Sequence, residues 1–190
     1  MIFYFHGFAS SGNSWKVQYL KKHLEKNTAV TMTAPTLPVN PEEIVALFER
    51  HTAENGKPRL VIGSSLGGFY ARYAAVCYDI PAVLINPSIT PWFTLAACVG
   101  INNRYYSGES FEWKKEYLDT LKKMDDKTKT CGSKHHLLHF FLAEDDEILD
   151  HKKIPGLFPG AASIRFFDNC EHGFTRFPEI VPEIEKLLGI

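Results

Sequence analysis

The sequence predicts an α/β protein built on an open, mostly parallel sheet of about six strands with helices on both faces. Short apolar runs alternate with stretches of helical periodicity. Several runs, such as Ala82-Val83-Leu84-Ile85, are apolar at every position, as strands covered on both faces are. Turn signals such as Gly7, Pro35 and Asn86-Pro87 close the runs. The 190 residues suit one domain, read as 1–190, with a small irregular and helical insert at about 88–134.

Ile2–His6 is the first strand and stops at Gly7. Trp15, Val17, Leu20 and Leu24 recur at helical spacing, which predicts an amphipathic helix from about Ser14 to Lys26. Ala29–Thr33 is strand-like. Pro35 to Pro41 is extended, and Pro41 with Glu42 and Glu43 starts a helix running to about Glu54. Arg59–Gly63 is a strand followed by a helix over Leu66–Tyr78, and Ala82–Ile85 is the next strand. Within the insert one helix is expected near Phe111–Met124. His136–Ala143 and Ser163–Phe167 complete the six strands, with a short helical piece at Ile148–Phe158 between them. The last helix, about Glu179–Leu188, ends before Gly189.

Charge narrows the function classes. With 21 basic and 22 acidic residues the net charge is −1, which steers neither nucleic acid nor an anionic membrane. The opening Met1 to Gly7 has no basic segment and too short an apolar run for a secretion signal, and no stretch is long enough to cross a bilayer. A soluble cytoplasmic protein is expected. Cys77, Cys98, Cys131 and Cys170 form no C-x-x-C pair, so four reduced, mostly buried thiols are expected rather than a redox or metal motif.

Arg59-Leu60-Val61-Ile62-Gly63-Ser64-Ser65-Leu66-Gly67-Gly68 reads as strand, G-x-S-x-G, helix. A serine hydroxyl is a weak nucleophile unless exposed beside a base. A sharp strand-to-helix turn exposes it, and Gly63 and Gly67 leave room for the close backbone approach. Ser64 is a rival, but the glycines frame Ser65. The bland reading makes Ser65 only a helix cap. The Leu66 amide then opens the helix as an oxyanion donor, and Phe8, in the turn after the first strand, offers a second.

Of eight histidines, His23 and His51 fall on amphipathic helices and are expected in solvent. His135, His136 and His139 cluster at a strand start, but period two splits them, so no metal site is expected there. His172 follows the last strand, on the sheet edge where Ser65 sits and where ligands bind in parallel sheets. The acid belongs after His136–Ala143, where Glu144-Asp145-Asp146-Glu147 crowd together. Asp145 or Asp146, turned inward to orient the imidazole, fits that role, while the others cap the following helix. Asn86-Pro87 offers no carboxylate after the preceding strand. The order serine, acid, histidine matches the α/β-hydrolase order.

Phe5-His6-Gly7-Phe8-Ala9-Ser10-Ser11, Gly63 to Ala71, Pro81 to Pro87, Tyr106-Ser107-Gly108, Asp146-Glu147-Ile148-Leu149-Asp150 and His172-Gly173-Phe174 together resemble the α/β-hydrolases. The resemblance is closer still to the small bacterial YqiA/YcfP-type esterases and covers essentially the whole chain. It implies an α/β-hydrolase fold and aligns Asp146 with the family's acid, with Asp145 where the family has glycine. It further implies hydrolysis of carboxylic esters, extending to acyl thioesters, without any cofactor. The expected triad is Ser65, Asp146 and His172, with Phe8 and Leu66 as oxyanion donors and a small-molecule ester or thioester as partner. Oligomeric state is left open.

Phe8, Trp92 and Phe93, with Tyr105, Tyr106, Phe111, Trp113 and Tyr117, are expected either to line an acyl or alcohol pocket or to pack the insert on the sheet. So short a chain leaves no room for a large lid, which favours short or medium acyl groups. The same triad serves C–C, amide and thioester cleavage, and the fold also serves as a non-catalytic ligand receptor. A dinucleotide site is excluded because the first strand leads into H-G-F-A-S-S.

Overall fold

The computed structural model describes residues 1–25 and 30–190. The uninterrupted apolar runs form strands because only a sheet covered on both sides hides every side chain of such a run. The main sheet has six strands, all parallel: β1 (Ile2–Phe5), β2 (Met32–Thr33), β3 (Leu60–Ser64), β4 (Ala82–Ile85), β7 (Leu138–Ala143) and β8 (Ser163–Phe167). Their spatial order is β2-β1-β3-β4-β7-β8. In register, Phe5 lies opposite Gly63 and Ser64 opposite Ile85, so the ends of β1, β3 and β4 meet on one edge.

Period two divides the strands between two cores. Phe3, Phe5, Val61, Leu84 and Phe140 face α2 (Pro41–Asn55), α3 (Leu66–Tyr78) and α5 (Lys115–Thr130). Ile2, Tyr4, Ile62, Val83 and Phe141 face α1 (Trp15–Leu24) and α7 (Phe177–Leu188). The α3 helix is buried along nearly its whole length, which its close glycine-mediated seat on β3 requires. Asn40 caps α2 by accepting from the Glu42 amide, with Pro41 in the first turn as expected. Gly189, at φ 69°, closes α7 in the left-handed conformation. Among the described residues no helix is long and apolar enough to cross a membrane.

The differences from expectation concentrate in the insert. Between α4 (Pro91–Thr94) and α5, residues Gly100–Asn103 (β5) and Ser110–Trp113 (β6) pair antiparallel as a separate hairpin. The expected helix at Phe111–Met124 is therefore displaced to Lys115–Thr130. Phe111 and Trp113 obey period two, while Trp113, Tyr117 and Leu121 fall at helical spacing, so the boundary between strand and helix is ambiguous here. The helical piece expected at Ile148–Phe158 shrinks to α6 (Ile154–Leu157). There the Asp146 and Asp150 side chains accept from the amides of Ile148, Leu149 and Lys152, and such side-chain turns compete with helix.

The expected helix end at Lys26 and strand start at Ala29 lie outside the described residues. Of the thiols only Cys170 is buried. Cys77, Cys98 and Cys131 are half-exposed, and the Cys77 and Cys131 sulfurs lie 3.2 Å apart. His23 is half-buried and bonded to Glu185, and His51 is likewise half-buried against the Phe3 ring, so neither is simply solvated.

Candidate active site

The elbow begins with geometry that only glycines permit. A Cβ on Gly67 would lie 2.0 Å from the Phe5 carbonyl oxygen, and one on Gly63 would lie 2.1 Å from that of Gly67. With that packing available, the turn forces Ser65 to φ 56° and ψ −122°, a strained conformation for a residue with a side chain. Its backbone is pinned on both sides, the amide donating to Ile85 and the carbonyl accepting from Ser88. Ser64 ends β3 and is buried, whereas Ser65 is half-exposed at the cleft.

Ser65 Oγ lies 3.0 Å from His172 Nε2. The other ring nitrogen, Nδ1, is 2.8 Å and 3.0 Å from the two oxygens of Asp146. An ionised carboxylate only accepts, so Nδ1 carries the proton and neutral Nε2 accepts from the serine hydroxyl. Between the two aspartates geometry is decisive. The Asp146 side chain is 1% exposed and faces the imidazole, whereas Asp145 points to solvent. Burial pushes the Asp146 carboxyl up. Hydrogen bonds from His151, His172 and the Leu149 and Ile148 amides outweigh it and hold the group well below the usual carboxylate range.

Two residues of this network escaped the sequence reading. His151, buried, donates from Nε2 to Asp146 Oδ2 at 2.8 Å. Its signal was its position five residues after the acid, too local a spacing to suggest an inward turn. Asn86 is fully buried at φ 41°. Its amide donates to the Glu171 and His172 carbonyls, and its oxygen accepts from the Ala143 amide at 2.7 Å. One side chain thus ties the ends of β4 and β7 to the histidine loop. Sequence reasoning passed over the position because asparagine supplies no carboxylate, although the Asn86-Pro87 pair that closes the strand was a visible turn signal.

The turn after β1 rests directly on Ser65, since a Cβ on Gly7 would lie 3.3 Å from Ser65 Cβ. Neither the Phe8 nor the Leu66 amide donates in a turn or loop hydrogen bond among the described residues. His6 fixes this turn. Its Nδ1 donates to the Gly7 carbonyl and its Nε2 accepts from the Leu37 amide, both at 2.8 Å. Arg104, in the hairpin, clamps the Ser10 and Leu37 carbonyls from above.

The cleft beside Ser65 and His172 has a volume of about 500 Å³, within the range of small-molecule sites. Phe8, Tyr105 and Tyr106 line it. Trp92 and Phe93 do not: the α4 turn directs Trp92 into a separate cavity with Arg72 and Asp125, and leaves Phe93 73% exposed. Phe111 and Trp113 pack edge-on against the Phe8 ring, and Tyr117 packs on Trp113. The aromatic set therefore divides between packing and cleft. Among the described residues, no group of three or more His, Cys, Asp or Glu could hold a metal ion. His135 and His139 bond instead to Pro159 and Ser163.

Residues 1–189 match the uncharacterised protein family UPF0227. The chain belongs to that family. Among solved structures it is similar to a monoacylglycerol lipase from Paleococcus ferrophilus, at 15% identity and TM-score 0.73, covering 98% of this chain and 94% of the other. It is similar too to the esterase domain of a Rhodothermus marinus protein, at 20% identity and TM-score 0.64, covering 98% and 83%. Est1E from Butyrivibrio proteoclasticus, with ferulic acid bound, aligns at 12% identity and TM-score 0.69, covering 97% and 86%. These likenesses establish the UPF0227 chain as an α/β-hydrolase fold.

Two measurements check the network. His151→Phe removes one of the two imidazole donors to the buried Asp146 Oδ2 and should lower stability to urea by about 1–3 kcal/mol; His151→Gln, whose amide still donates, should recover most of it. Burial, with Arg104 nearby, outweighs the Gly7 hydrogen bond and pushes His6 down to about 4. The unfolded chain binds the proton near pH 6.5, so the stability present above that pH is lost as pH falls toward 4. The wild type should lose about 2 kcal/mol between pH 7.5 and 5, and His6→Gln should flatten that slope.

Proposed function

We propose that this protein is a serine hydrolase that cleaves carboxylic esters through an acyl-enzyme, with residues 1–190 acting as one catalytic domain. The observation that carries the reading is the unbroken relay from Asp146 through His172 to the Ser65 hydroxyl on a strained elbow. In this reading His172 Nε2 takes the Ser65 proton as the oxygen attacks the acyl carbon. Asp146 holds the imidazole tautomer and stabilises the cation. The Leu66 amide, at the start of α3, and the Phe8 amide receive the developing oxyanion. His172 then returns the proton to the leaving alcohol and activates the water that releases the acid.

Two features support an ester rather than a purely bound ligand. A strained φ of 56° at a serine is retained where the surrounding structure demands it, and exposing a nucleophile is such a demand. The similar structures, an esterase domain and a monoacylglycerol lipase, agree with that chemistry. Tyr105 and Tyr106 of the hairpin and Thr94 of α4 border a cleft of about 500 Å³, a size that suits short or medium acyl groups. None of the steps requires a metal or dissociable cofactor.

The test is a panel of p-nitrophenyl esters of graded length together with acyl-CoA thioesters, run with wild type and Ser65→Ala. Hydrolysis should peak at short or medium chains and fall by roughly 10⁶-fold, to background, in the variant. A fluorophosphonate probe should label wild type at Ser65 and leave the variant unlabelled. Full activity in Ser65→Ala, or a folded wild type that neither labels nor hydrolyses, would overturn the proposal.

A further inference from the structure

We propose that the cleft beside Ser65 contains an anion subsite, formed by Lys16 with Tyr4, Ser14 and Ser64, and that the ester it cleaves carries a carboxylate or similar small anion. The inference rests on the ester-hydrolase reading of that cleft and names its substrate class.

The charge inventory of the cleft is one-sided. Lys16 lines it, and no aspartate or glutamate does. Lysine is rarely buried without a counter-charge, because removing an ammonium from water is costly. Lys16 is nonetheless 8% exposed. Its Nζ donates to the Gly173 carbonyl at 2.7 Å and lies 5.1 Å from the Trp15 ring centre. Among the described residues no carboxylate forms an ion pair with it. One carbonyl occupies one of three ammonium protons, which leaves donors for a ligand. Burial lowers the Lys16 amine to about 8, while Cys170 and Glu171 raise it, so it is a cation at neutral pH.

The neighbouring hydroxyls supply further donors. Tyr4 is 1% exposed, and its hydroxyl lies beside Ser64, the one side chain that bears on it. Burial pushes that phenol up, so it keeps its proton. A buried hydroxyl with so few partners gains from a further acceptor. Ser14 stands at the N-cap of α1, yet its side chain makes no cap hydrogen bond. All these groups share the cleft with Ser65 and His172. An anion seated there would give the ammonium a counter-charge and the phenol an acceptor at once. A strut that merely held the histidine loop would need the Gly173 bond alone and would not explain a cleft that sets a buried ammonium among hydroxyls with no carboxylate in its lining.

The anion can sit on either half of the ester, and paired substrates separate the two. p-Nitrophenyl hydrogen glutarate against p-nitrophenyl hexanoate places it on the acyl side. Butyryl glycolate against ethyl butyrate places it on the alcohol side. In at least one pair wild type should prefer the anionic ester, and Lys16→Met should lower the anionic-to-neutral ratio of kcat/KM about tenfold or more, mainly through KM. Lys16→Arg should retain part of the preference. No preference in either pair, or an equal fall for both members in Lys16→Met, overturns the subsite and leaves ester hydrolysis standing. Should no ester be cleaved, calorimetry of glutarate with wild type still decides the matter. Binding that weakens about tenfold in Lys16→Met supports the subsite, and no binding to wild type overturns it.

Discussion

The close approach of two backbones at the end of β3 is the constraint on which the rest depends. Gly63, Gly67 and the Phe5 carbonyl come so near that no side chain fits between them. That contact makes the strand turn into α3 within one residue and drives Ser65 into a left-handed conformation. The strain is offset by hydrogen bonds that fix both of its peptide groups and by the extensive burial of α3. Once the elbow is set, the turn after β1 has one place to go: Gly7 rests on Ser65, and His6, held neutral, fixes the path of the backbone there.

A second constraint arranges the partners of the serine. Parallel pairing brings the ends of β4, β7 and β8 to the same edge, but this places loops only to within several ångströms. Asn86 refines that placement by hydrogen-bonding both the histidine loop and the end of β7. Asp146 then receives donors from two imidazoles and two amides, so its carboxylate has neither spare lone pairs nor freedom to rotate. Such saturation keeps a buried carboxylate charged, and a charged carboxylate is what orients an imidazole.

The hairpin and α5 act at one remove. Arg104 holds the Ser10 and Leu37 carbonyls, and Phe111 and Trp113 press on Phe8, so the insert tightens the turn beside Ser65 as well as bordering the cleft. This division of labour explains why the aromatic cluster resisted a sequence reading. Rings that pack a hairpin and rings that line a cleft have the same composition, and only their direction differs. Trp92 and Phe93 show the limit most clearly, as adjacent residues that the α4 turn sends to another cavity and to solvent.

Periodicity, glycine spacing and chain order by themselves determined the six-strand parallel architecture, the position of the elbow and which remote residues share an edge with Ser65. These properties are local or topological, and backbone sterics write them directly into residue type. The residues alone left Asp145 and Asp146 open, with the resemblance favouring Asp146, and the structure turns Asp146 toward the imidazole and Asp145 to solvent, because adjacent carboxylates differ only in which way they face. It also brought in His151 and Asn86, whose importance lies in what they touch, and it revealed a lysine in a cleft without carboxylates. Burial without a counter-charge is a property of the assembled surroundings, and no single stretch of chain encodes it.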